Sequence, residues 1–212
     1  MPNLAAHWDA AADTFDEEAD HGLRDPAVRA AWAARLATWL PPAAGRRPDA
    51  LDLGCGTGSL SLLLAEAGHR VTGVDLAPRM VERAREKLAG TDATVTVGDA
   101  SRPPVGERRF DVVLTRHVVW ALPDPERALA RWAALLRPGG RLVLVEGRWS
   151  SVPRRDDMPW DGGITAEELV AALRRLPVRF ADLRVDRLTE PVLWGKEIDD
   201  ERYAVVAATP AT

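Results

Sequence analysis

The segment that most constrains the fold is the glycine-rich turn at residues 51–58, Leu-Asp-Leu-Gly-Cys-Gly-Thr-Gly. An apolar run ends there in three glycines at alternate positions, and a helix-like apolar pattern begins directly afterwards. Glycine is needed where φ is positive or where the backbone approaches a ligand closely. The amide groups at the start of the following helix then face whatever lies across the turn. The turn is therefore predicted to hold a cofactor between a strand and a helix.

The spacing of these glycines separates two classes of cofactor. The dinucleotide-binding fingerprint reads G-x-G-x-x-G. Here Gly54, Gly56 and Gly58 give G-x-G-x-G, and Ser59 stands where the fingerprint has its third glycine. This difference counts against NAD as the cofactor.

Two further apolar runs end in a carboxylate. Residues 71–75 place Asp75 at the end of a second strand, and residues 93–98 are followed by Asp99. A carboxylate at the second strand end can accept hydrogen bonds from both hydroxyls of a ribose, and one at the third suits the exocyclic amine of an adenine. Helix capping is the alternative for Asp75, and a simple turn is the alternative for Asp99.

Glycines followed by two aspartates, at three successive strand ends, resemble the class I S-adenosylmethionine-dependent methyltransferases. The resemblance continues through residues 110–115, which are similar to the fourth strand of that family. Residues 136–140 and 141–145 are similar to its turn after a crossover helix and to its fifth strand. The likeness covers about residues 45–148 and is greatest for small bacterial enzymes that methylate low-molecular-weight metabolites.

The resemblance implies an α/β fold: a doubly wound, mostly parallel seven-stranded sheet with helices on both faces and an antiparallel C-terminal strand pair. The alternation of strands and helices from residue 49 independently favours parallel βαβ units. Crossover helices are predicted at residues 78–88 and 125–136. A length of 212 residues suits a single domain over residues 1–212.

The two ends of the chain carry other patterns. Residues 4–21 show helical spacing of apolar residues, and Asp25-Pro26 predicts the start of an amphipathic helix that ends near residue 40. By resemblance, residues 1–42 form a helical lid over the site. Residues 148–163, rich in Arg, Pro, Asp and Gly, predict an active-site loop.

Beyond that loop, a capping-box pattern at residues 165–168 predicts a helix to residue 176. Strand-like stretches follow near residues 178–188 and 202–208, with no helical pattern between them. An antiparallel pairing of these two stretches is therefore expected. A plain dinucleotide-binding domain lacks such a pair.

The resemblance places S-adenosylmethionine, with S-adenosylhomocysteine as product, at the strand ends. Gly54 and Gly56 would let the backbone pass under the methionine portion, while Asp75 would bind the ribose hydroxyls. The other implied cofactor residues are Asp52 organising the turn, Cys55 filling it, Leu76 and Met80 against the adenine or ribose, Asp99 and Ala100 at the adenine edge, and Arg116 beside the sulfonium.

Methyl transfer from a sulfonium is a direct displacement, so the protein mainly aligns the reactants and keeps water out. A base is needed only where a proton leaves early, as from a hydroxyl. His117, after the fourth strand, and His21, after the lid segment, are the candidate bases. A loop histidine that hydrogen-bonds the backbone is the alternative for His117.

Tryptophan is abundant, with 8 residues against 1 tyrosine. An aromatic-lined pocket suits a planar or hydrophobic small molecule. We expect Trp8 and Phe15 to belong to the lid, and Trp120 and Trp149 to line the acceptor pocket. Core packing is the alternative for each ring.

Composition disfavours several other classes. The single cysteine excludes an internal disulfide and a multi-cysteine zinc site. Arg116 stands where metal-dependent relatives carry acidic ligands, so no metal is predicted. A net charge of −4 argues against nucleic acid. Without a long apolar run or a signal-like start, a cytoplasmic protein that does not bind a membrane is expected, as a monomer or homodimer.

The sequence thus predicts metal-independent transfer of a methyl group to a nitrogen or oxygen of a small-molecule metabolite, of the kind found in biosynthesis. Two alternatives stay open. The first is a non-catalytic S-adenosylmethionine-binding partner subunit, because intact binding residues do not prove turnover. The second is an NAD-dependent oxidoreductase, which Ser59 and the antiparallel C-terminal pair disfavour.

Overall fold

The computed structural model describes residues 4–41, 45–149 and 160–211. Its centre is a sheet of seven strands: β1 (Asp49–Leu53), β2 (Arg70–Asp75), β3 (Thr94–Val97), β4 (Phe110–Arg116), β5 (Leu136–Arg148), β6 (Asp182–Arg187) and β7 (Glu201–Ala208). Their spatial order is β3-β2-β1-β4-β5-β7-β6. The chain builds outward from β1 to β3 and then crosses to β4 on the other side of β1. In open α/β sheets, ligands bind outside the carboxyl ends of the strands at such a reversal.

Strand direction matches the prediction. Neighbours among β1 to β5 are parallel, whereas β7 runs antiparallel to both β5 and β6. The predicted mostly parallel sheet with an antiparallel C-terminal pair is confirmed. Because β7 is reversed, its first residues lie at the edge where β1 to β5 end.

Eight α-helices lie within the described ranges: α1 (Leu4–Ala11), α2 (Ala19–Gly22), α3 (Pro26–Trp39), α4 (Ser59–Glu66), α5 (Pro78–Lys87), α6 (Pro125–Ala134), α7 (Ala166–Arg175) and α8 (Pro191–Trp194). Side chains of α3, α4 and α8 share one apolar cluster with the sheet. Side chains of α6 and α7 share another. The sheet is therefore covered on both faces, as predicted.

Helix α3 shows why the N-terminal region folds onto the sheet. The Asp25 carboxylate accepts hydrogen bonds from the amides of Ala27 and Val28 at 2.7 and 3.1 Å, and Pro26 occupies the first turn. The buried residues recur at intervals of three and four. Trp32 among them donates its indole N–H to the carbonyl of Leu193 at 2.7 Å. The predicted cap and helix are confirmed.

The predicted capping box is also present. Thr165 Oγ1 accepts from the Glu168 amide at 3.2 Å, and the Glu168 carboxylate accepts from the Thr165 amide at 3.0 Å. Two amides at the start of α7 are thereby satisfied. The helix then runs to Arg175, one residue short of the predicted end.

The expectation of one helical pattern over residues 4–21 is wrong. Helix α1 stops at Ala11, a 3₁₀ turn covers Phe15–Glu17, and α2 is a single turn. The acidic side chains between them contact α5 and the glycine turn. Tertiary contacts therefore override the local periodicity.

Three details of the C-terminal half also differ from the prediction. Residues 136–140 are part of β5, with an irregular register between the pairs Phe110–Leu136 and Val112–Arg141, instead of forming a separate turn. The stretch predicted from residue 178 becomes a strand only at Asp182. A one-turn helix, α8, separates β6 from β7, because it packs against α3 instead of extending the hairpin.

Of the predicted active-site loop at residues 148–163, residues 150–159 lie outside the described ranges. Arg148 ends β5 and forms an antiparallel bridge with Gly163. Trp160 is buried in the core, so this tryptophan has the packing role.

Candidate functional site

A cavity of about 740 Å³ opens at the carboxyl ends of the parallel strands, where the strand order reverses. This volume is typical of small-molecule sites. Every site residue predicted from the sequence lines it: Trp8, Phe15, His21, Asp52, Gly54, Cys55, Gly56, Asp75, Leu76, Met80, Asp99, Ala100, Arg116, His117, Trp120 and Trp149. The individual roles of these residues stay predictions.

The glycine turn connects β1 to α4 in the predicted conformation. Gly54, Gly56 and Gly58 have φ of 67°, 54° and 85°, the left-handed region that favours glycine. A Cβ atom at Gly54 would lie 2.3 Å from Val118 Cγ2. The first glycine is therefore required both by its dihedral angle and by the neighbouring β4 loop.

Asp75 joins the glycine turn to the next strand. Its carboxylate accepts from the Gly56 amide at 2.8 Å and from the Ala77 amide at 2.9 Å. Burial raises the pKa of Asp75, and these amide hydrogen bonds oppose the rise. The predicted ribose ligand thus also fixes the shape of the turn.

Asp52 lies beneath the turn, where it is buried. Ser61 on α4 donates its hydroxyl to the Asp52 carboxylate at 2.6 Å. Burial raises the pKa of Asp52 to about 6, against the opposing effects of the Ser61 hydroxyl and the Arg116 charge.

Cys55 fills the turn as a packing residue. Its Sγ atom lies 3.0 Å from the position of a Cβ at Gly73, so strand β2 needs glycine there. Burial raises the pKa of the Cys55 thiol well above its ordinary value, which disfavours a nucleophilic thiolate.

The third strand end forms a compact turn. The Asp99 carboxylate accepts from the Ser101 amide and from the Ser101 hydroxyl, each at 2.8 Å. Asp99 is exposed toward the cavity, and the Ala100 carbonyl accepts from the Trp132 indole at 2.8 Å. Asp99 therefore forms the local turn that was its alternative role, and it also lines the cavity.

Two apolar residues after β2 bound the same part of the cavity. Met80 is almost fully buried, in a small cluster with Ala12 and Ala77 that Trp8 and Phe15 cover. Leu76 is 39% exposed, although large apolar side chains are usually covered. An exposed apolar side chain in a cavity suits the face of a flat ring.

The end of β4 brings Arg116 and His117 to the centre of the cavity. Arg116 donates to the carbonyl of Asp20 at 2.6 Å, and its guanidinium lies over the Trp32 ring. His117 has φ of 56°, an unusual value for a residue other than glycine. Such strain concentrates at functional sites.

Both candidate histidines are neutral near pH 7. Burial lowers the pKa of His117 well below 6.5, and the charges of Arg116 and Arg202 lower it further. Burial also lowers the pKa of His21, although the Asp20 carboxylate opposes this. His117 Nε2 is buried and has no hydrogen-bond partner among the described residues. Each imidazole can accept a hydrogen bond but gains a proton reluctantly.

Aromatic rings surround His117. Trp149 lies 5.0 Å from it between ring centroids, and Trp194 stacks on it at 6.0 Å. Trp120 meets Trp149 edge to face at 6.0 Å and donates its indole N–H to the His117 carbonyl at 2.7 Å. This half of the cavity therefore has flat aromatic walls.

Glu146 on β5 is a residue that the sequence analysis missed. It is fully buried, and one carboxyl oxygen accepts from the amides of Val118 and Val119 at 3.0 and 2.8 Å, while the other has no partner in the part of the chain that the structure describes. Burial raises the pKa of Glu146 to about 8. Glu146 fixes the loop that carries His117 and Trp120, and the signal for it was a lone acid in the apolar run 142–147.

The N-terminal segment is attached over the cavity by charge. Asp16 pairs with Lys87 at 2.7 Å and accepts from the Thr57 hydroxyl in the glycine turn. Lys87 also donates to Ser59 at 2.7 Å. These contacts between the first helices and the glycine turn were missed, because residues distant in the chain meet only after folding.

Asp9 and Asp13 extend this attachment along α5. Asp9 accepts from the Arg79 amide at 2.8 Å, and Asp13 pairs with Arg79 and Arg83 at 2.6 and 2.7 Å. Asp9 and Asp13 are four positions apart, and so are Arg79 and Arg83, which is about one helical turn. This spacing is visible in the sequence.

The described ranges contain neither a cluster of metal-ligand residues nor a helix that could span a membrane. In residues 4–41, 45–149 and 160–211, no three His, Cys, Asp or Glu side chains cluster as metal ligands do. None of the helices in those ranges combines the length and the apolar character needed to span a bilayer.

Comparison with known proteins gives the same family as the motifs. Residues 51–144 match the family model described as a methyltransferase domain. An uncharacterized methyltransferase of Mycobacterium tuberculosis (strain H37Rv) is 42% identical over 153 residues, which cover 72% of this chain and 55% of that protein. The 27-O-demethylrifamycin SV methyltransferase of Amycolatopsis mediterranei is 36% identical over 143 residues, which cover 65% of this chain and 48% of that protein. The chain spans about half the length of these curated relatives.

A solved structure shares the fold over nearly the whole chain. It is a TehB-like SAM-dependent methyltransferase from Corynebacterium glutamicum, with a TM-score of 0.65 and 22% sequence identity. The similarity covers 96% of this chain and 98% of that one. At this identity the likeness describes the fold alone.

Proposed function

Because this chain carries a domain of the class I S-adenosylmethionine-dependent methyltransferase family, we propose that it methylates a nitrogen or oxygen of a small-molecule metabolite without a metal ion. The observation that carries this proposal is the single cavity at the three strand ends, which holds the glycine turn, Asp75 and Asp99 together. When bound, S-adenosylmethionine supplies a methyl group activated by a sulfonium.

The residues present fit this cofactor. Side chains would obstruct the turn at Gly54, where a Cβ meets Val118, and would crowd Phe15 at Gly56, so backbone lines the cavity there. Besides accepting its two amide hydrogen bonds, the Asp75 carboxylate retains lone pairs. These lone pairs can accept hydrogen bonds from the ribose hydroxyls. Asp99, which faces the cavity, accepts a hydrogen bond from the adenine amine.

The protein aligns the acceptor and excludes water. Trp8 and Phe15 of the N-terminal segment cover the turn, with Phe15 stacked on His21 at 4.3 Å. His117 and His21, both neutral, orient an acceptor hydroxyl or amine by accepting its hydrogen bond. A fixed, dry site is what a direct displacement requires of a protein.

The test has two steps. Calorimetric titration with S-adenosylhomocysteine should give heat and raise the melting temperature, whereas NADH should do neither. Absence of any response to S-adenosylhomocysteine would refute the proposal, and tight NADH binding would restore the oxidoreductase alternative.

Turnover is measured separately. Radiolabelled S-adenosylmethionine and a metabolite extract should give labelled small molecules. Cofactor binding without any labelled product would favour the non-catalytic partner subunit.

A further inference from the structure

The charged groups of the cavity are separated by sign along the sheet. On the β3-β2-β1 side they are acidic, and on the β4-β5-β7 side they are basic or neutral. From one end to the other they are Asp99, Asp75, Asp52, Arg116, His117 and Arg202. Among the described residues, no carboxylate lines the cavity on the β4-β5-β7 side.

Among the described residues, Arg116 is the cation on that side that forms no direct ion pair. In those ranges no carboxylate oxygen lies within 4.0 Å of its guanidinium, which donates to the neutral carbonyl of Asp20; the Asp20 and Asp52 carboxylates act on its charge from farther away. Arg202, by contrast, is bound twice by Asp200, at 2.6 and 2.7 Å. A buried guanidinium keeps its proton and is stabilised by an anion.

The walls beside these cations are flat. Trp120 and Trp149 meet edge to face, and the hydrogen bond from Trp120 to the His117 carbonyl holds one ring in place. Planar rings pack favourably against such surfaces. The cavity near β4 thus combines an aromatic wall with a positive charge that no carboxylate of the described residues contacts directly.

We propose that the methyl acceptor is a planar aromatic acid, whose ring packs against Trp120 and Trp149 and whose acidic oxygen group pairs with Arg116. This inference rests on the proposed function and names the substrate class for that site. The charge-assisted pair would give Arg116 the direct anionic contact that it does not make with Asp20 or Asp52. Arg116 then binds the acceptor, whereas the resemblance placed it among the cofactor residues beside the sulfonium.

An amine acceptor carrying a positive charge is the competing class, since aromatic boxes bind cations. Here a cation already lies over one face of each of two rings, because the Arg202 guanidinium is 5.3 Å from the Trp149 centroid and 4.8 Å from that of Trp194. A second cation would be repelled by Arg116 and Arg202.

The test measures the binding of three probes of similar size to the full chain saturated with S-adenosylhomocysteine. The probes are 2-naphthoate, a planar anion; 2-(aminomethyl)naphthalene, a planar cation; and decalin-2-carboxylate, a saturated anion. We expect 2-naphthoate to bind at least about tenfold more tightly than either of the others. Equal or tighter binding of the cation, equal binding of the saturated anion, or no binding of any probe would overturn the inference.

Variants assign the effect to Arg116. Arg116→Met should remove the preference for the anion while leaving the affinity for S-adenosylhomocysteine within about twofold, and Arg116→Lys should retain the preference if Met is not tolerated. Arg127→Met, at an exposed position on α6, is the matched control. Weaker S-adenosylhomocysteine binding with an unchanged probe preference would place Arg116 at the cofactor and overturn the inference. Failure of the wild type to bind S-adenosylhomocysteine would refute the proposed function instead.

Discussion

Single residues in this site combine structural and binding roles. Asp75 holds the glycine turn through the amides of Gly56 and Ala77, and it is also the candidate ligand for the ribose. Its position was readable from the sequence, because a carboxylate at a strand end is a local pattern. Its contacts with the turn were not readable, since they depend on how β2 lies beside β1.

Replacing Asp75 by Asn should therefore affect both binding and stability. Loss of the charged acceptor should weaken S-adenosylhomocysteine binding by about tenfold or more, and one weakened amide hydrogen bond should lower the free energy of unfolding by about 1 kcal/mol. Calorimetry and urea unfolding measure the two effects. Glu82→Gln, at an exposed position on α5, is the control, and unchanged affinity in a folded Asp75→Asn protein would remove Asp75 from the cofactor site.

Glu146 should make stability fall as pH rises. The pKa of its carboxyl is about 8 in the folded protein against 4.5 ordinarily, so between these values the unfolded chain releases a proton that the folded chain keeps. The free energy of unfolding then decreases with pH, on the order of 1.4 kcal/mol per pH unit at most. Below pH 4.5 the effect is absent, and above pH 8 it is complete.

Urea unfolding of the wild type and of Glu146→Gln from pH 4 to 9 isolates this effect, since the other titrating groups cancel in the difference. The variant should lose the downward slope between pH 4.5 and 8. Glu126→Gln, exposed on α6, should retain the slope. Parallel curves for wild type and Glu146→Gln would show that Glu146 is charged in the native protein.

Among the helices, those whose first turn is marked by a local capping residue were predictable from the sequence, whereas the N-terminal segment was not. Asp25 and Thr165 mark the starts of α3 and α7 through contacts within four residues. The break between α1 and α2 instead follows from contacts with α5, about seventy positions along the chain. Lys87 and Arg202 were missed for the same reason, because nothing near them in the sequence reveals their partners.

Two aspartates of the N-terminal segment should differ in importance. The Asp16–Lys87 pair is largely buried, with exposures of 16% and 18%, whereas Asp13 and its arginines are about half exposed. Exposed pairs contribute little to stability. Asp16→Asn should therefore speed both proteolysis within residues 4–22 and dissociation of S-adenosylhomocysteine by several-fold, while Asp13→Asn changes either by less than about twofold.

Limited proteolysis and stopped-flow dissociation kinetics measure these rates. If Asp16→Asn dissociates like the wild type, the N-terminal segment does not close over the cofactor. If Asp13→Asn has the larger effect, the exposed pairs hold the segment.

For the whole molecule, the two clusters that cover the sheet share its strands, so the chain should unfold as one unit. S-adenosylhomocysteine at a hundredfold excess over its Kd should then stabilise the entire chain by about 2.7 kcal/mol. Differential scanning calorimetry should show one transition that moves upward with ligand. Two transitions, only one of which moves upward with ligand, would show that residues 1–212 form more than one domain.

The reversed direction of β7 has a consequence for how this scaffold diversifies. The candidate nucleoside-binding residues Asp75 and Asp99 lie at the ends of β2 and β3, whereas Arg202 comes from near the C-terminal end of the chain, because β7 begins where β1 to β5 end. We therefore expect changes in the short connection before β7 to alter the choice of acceptor more than the binding of the cofactor.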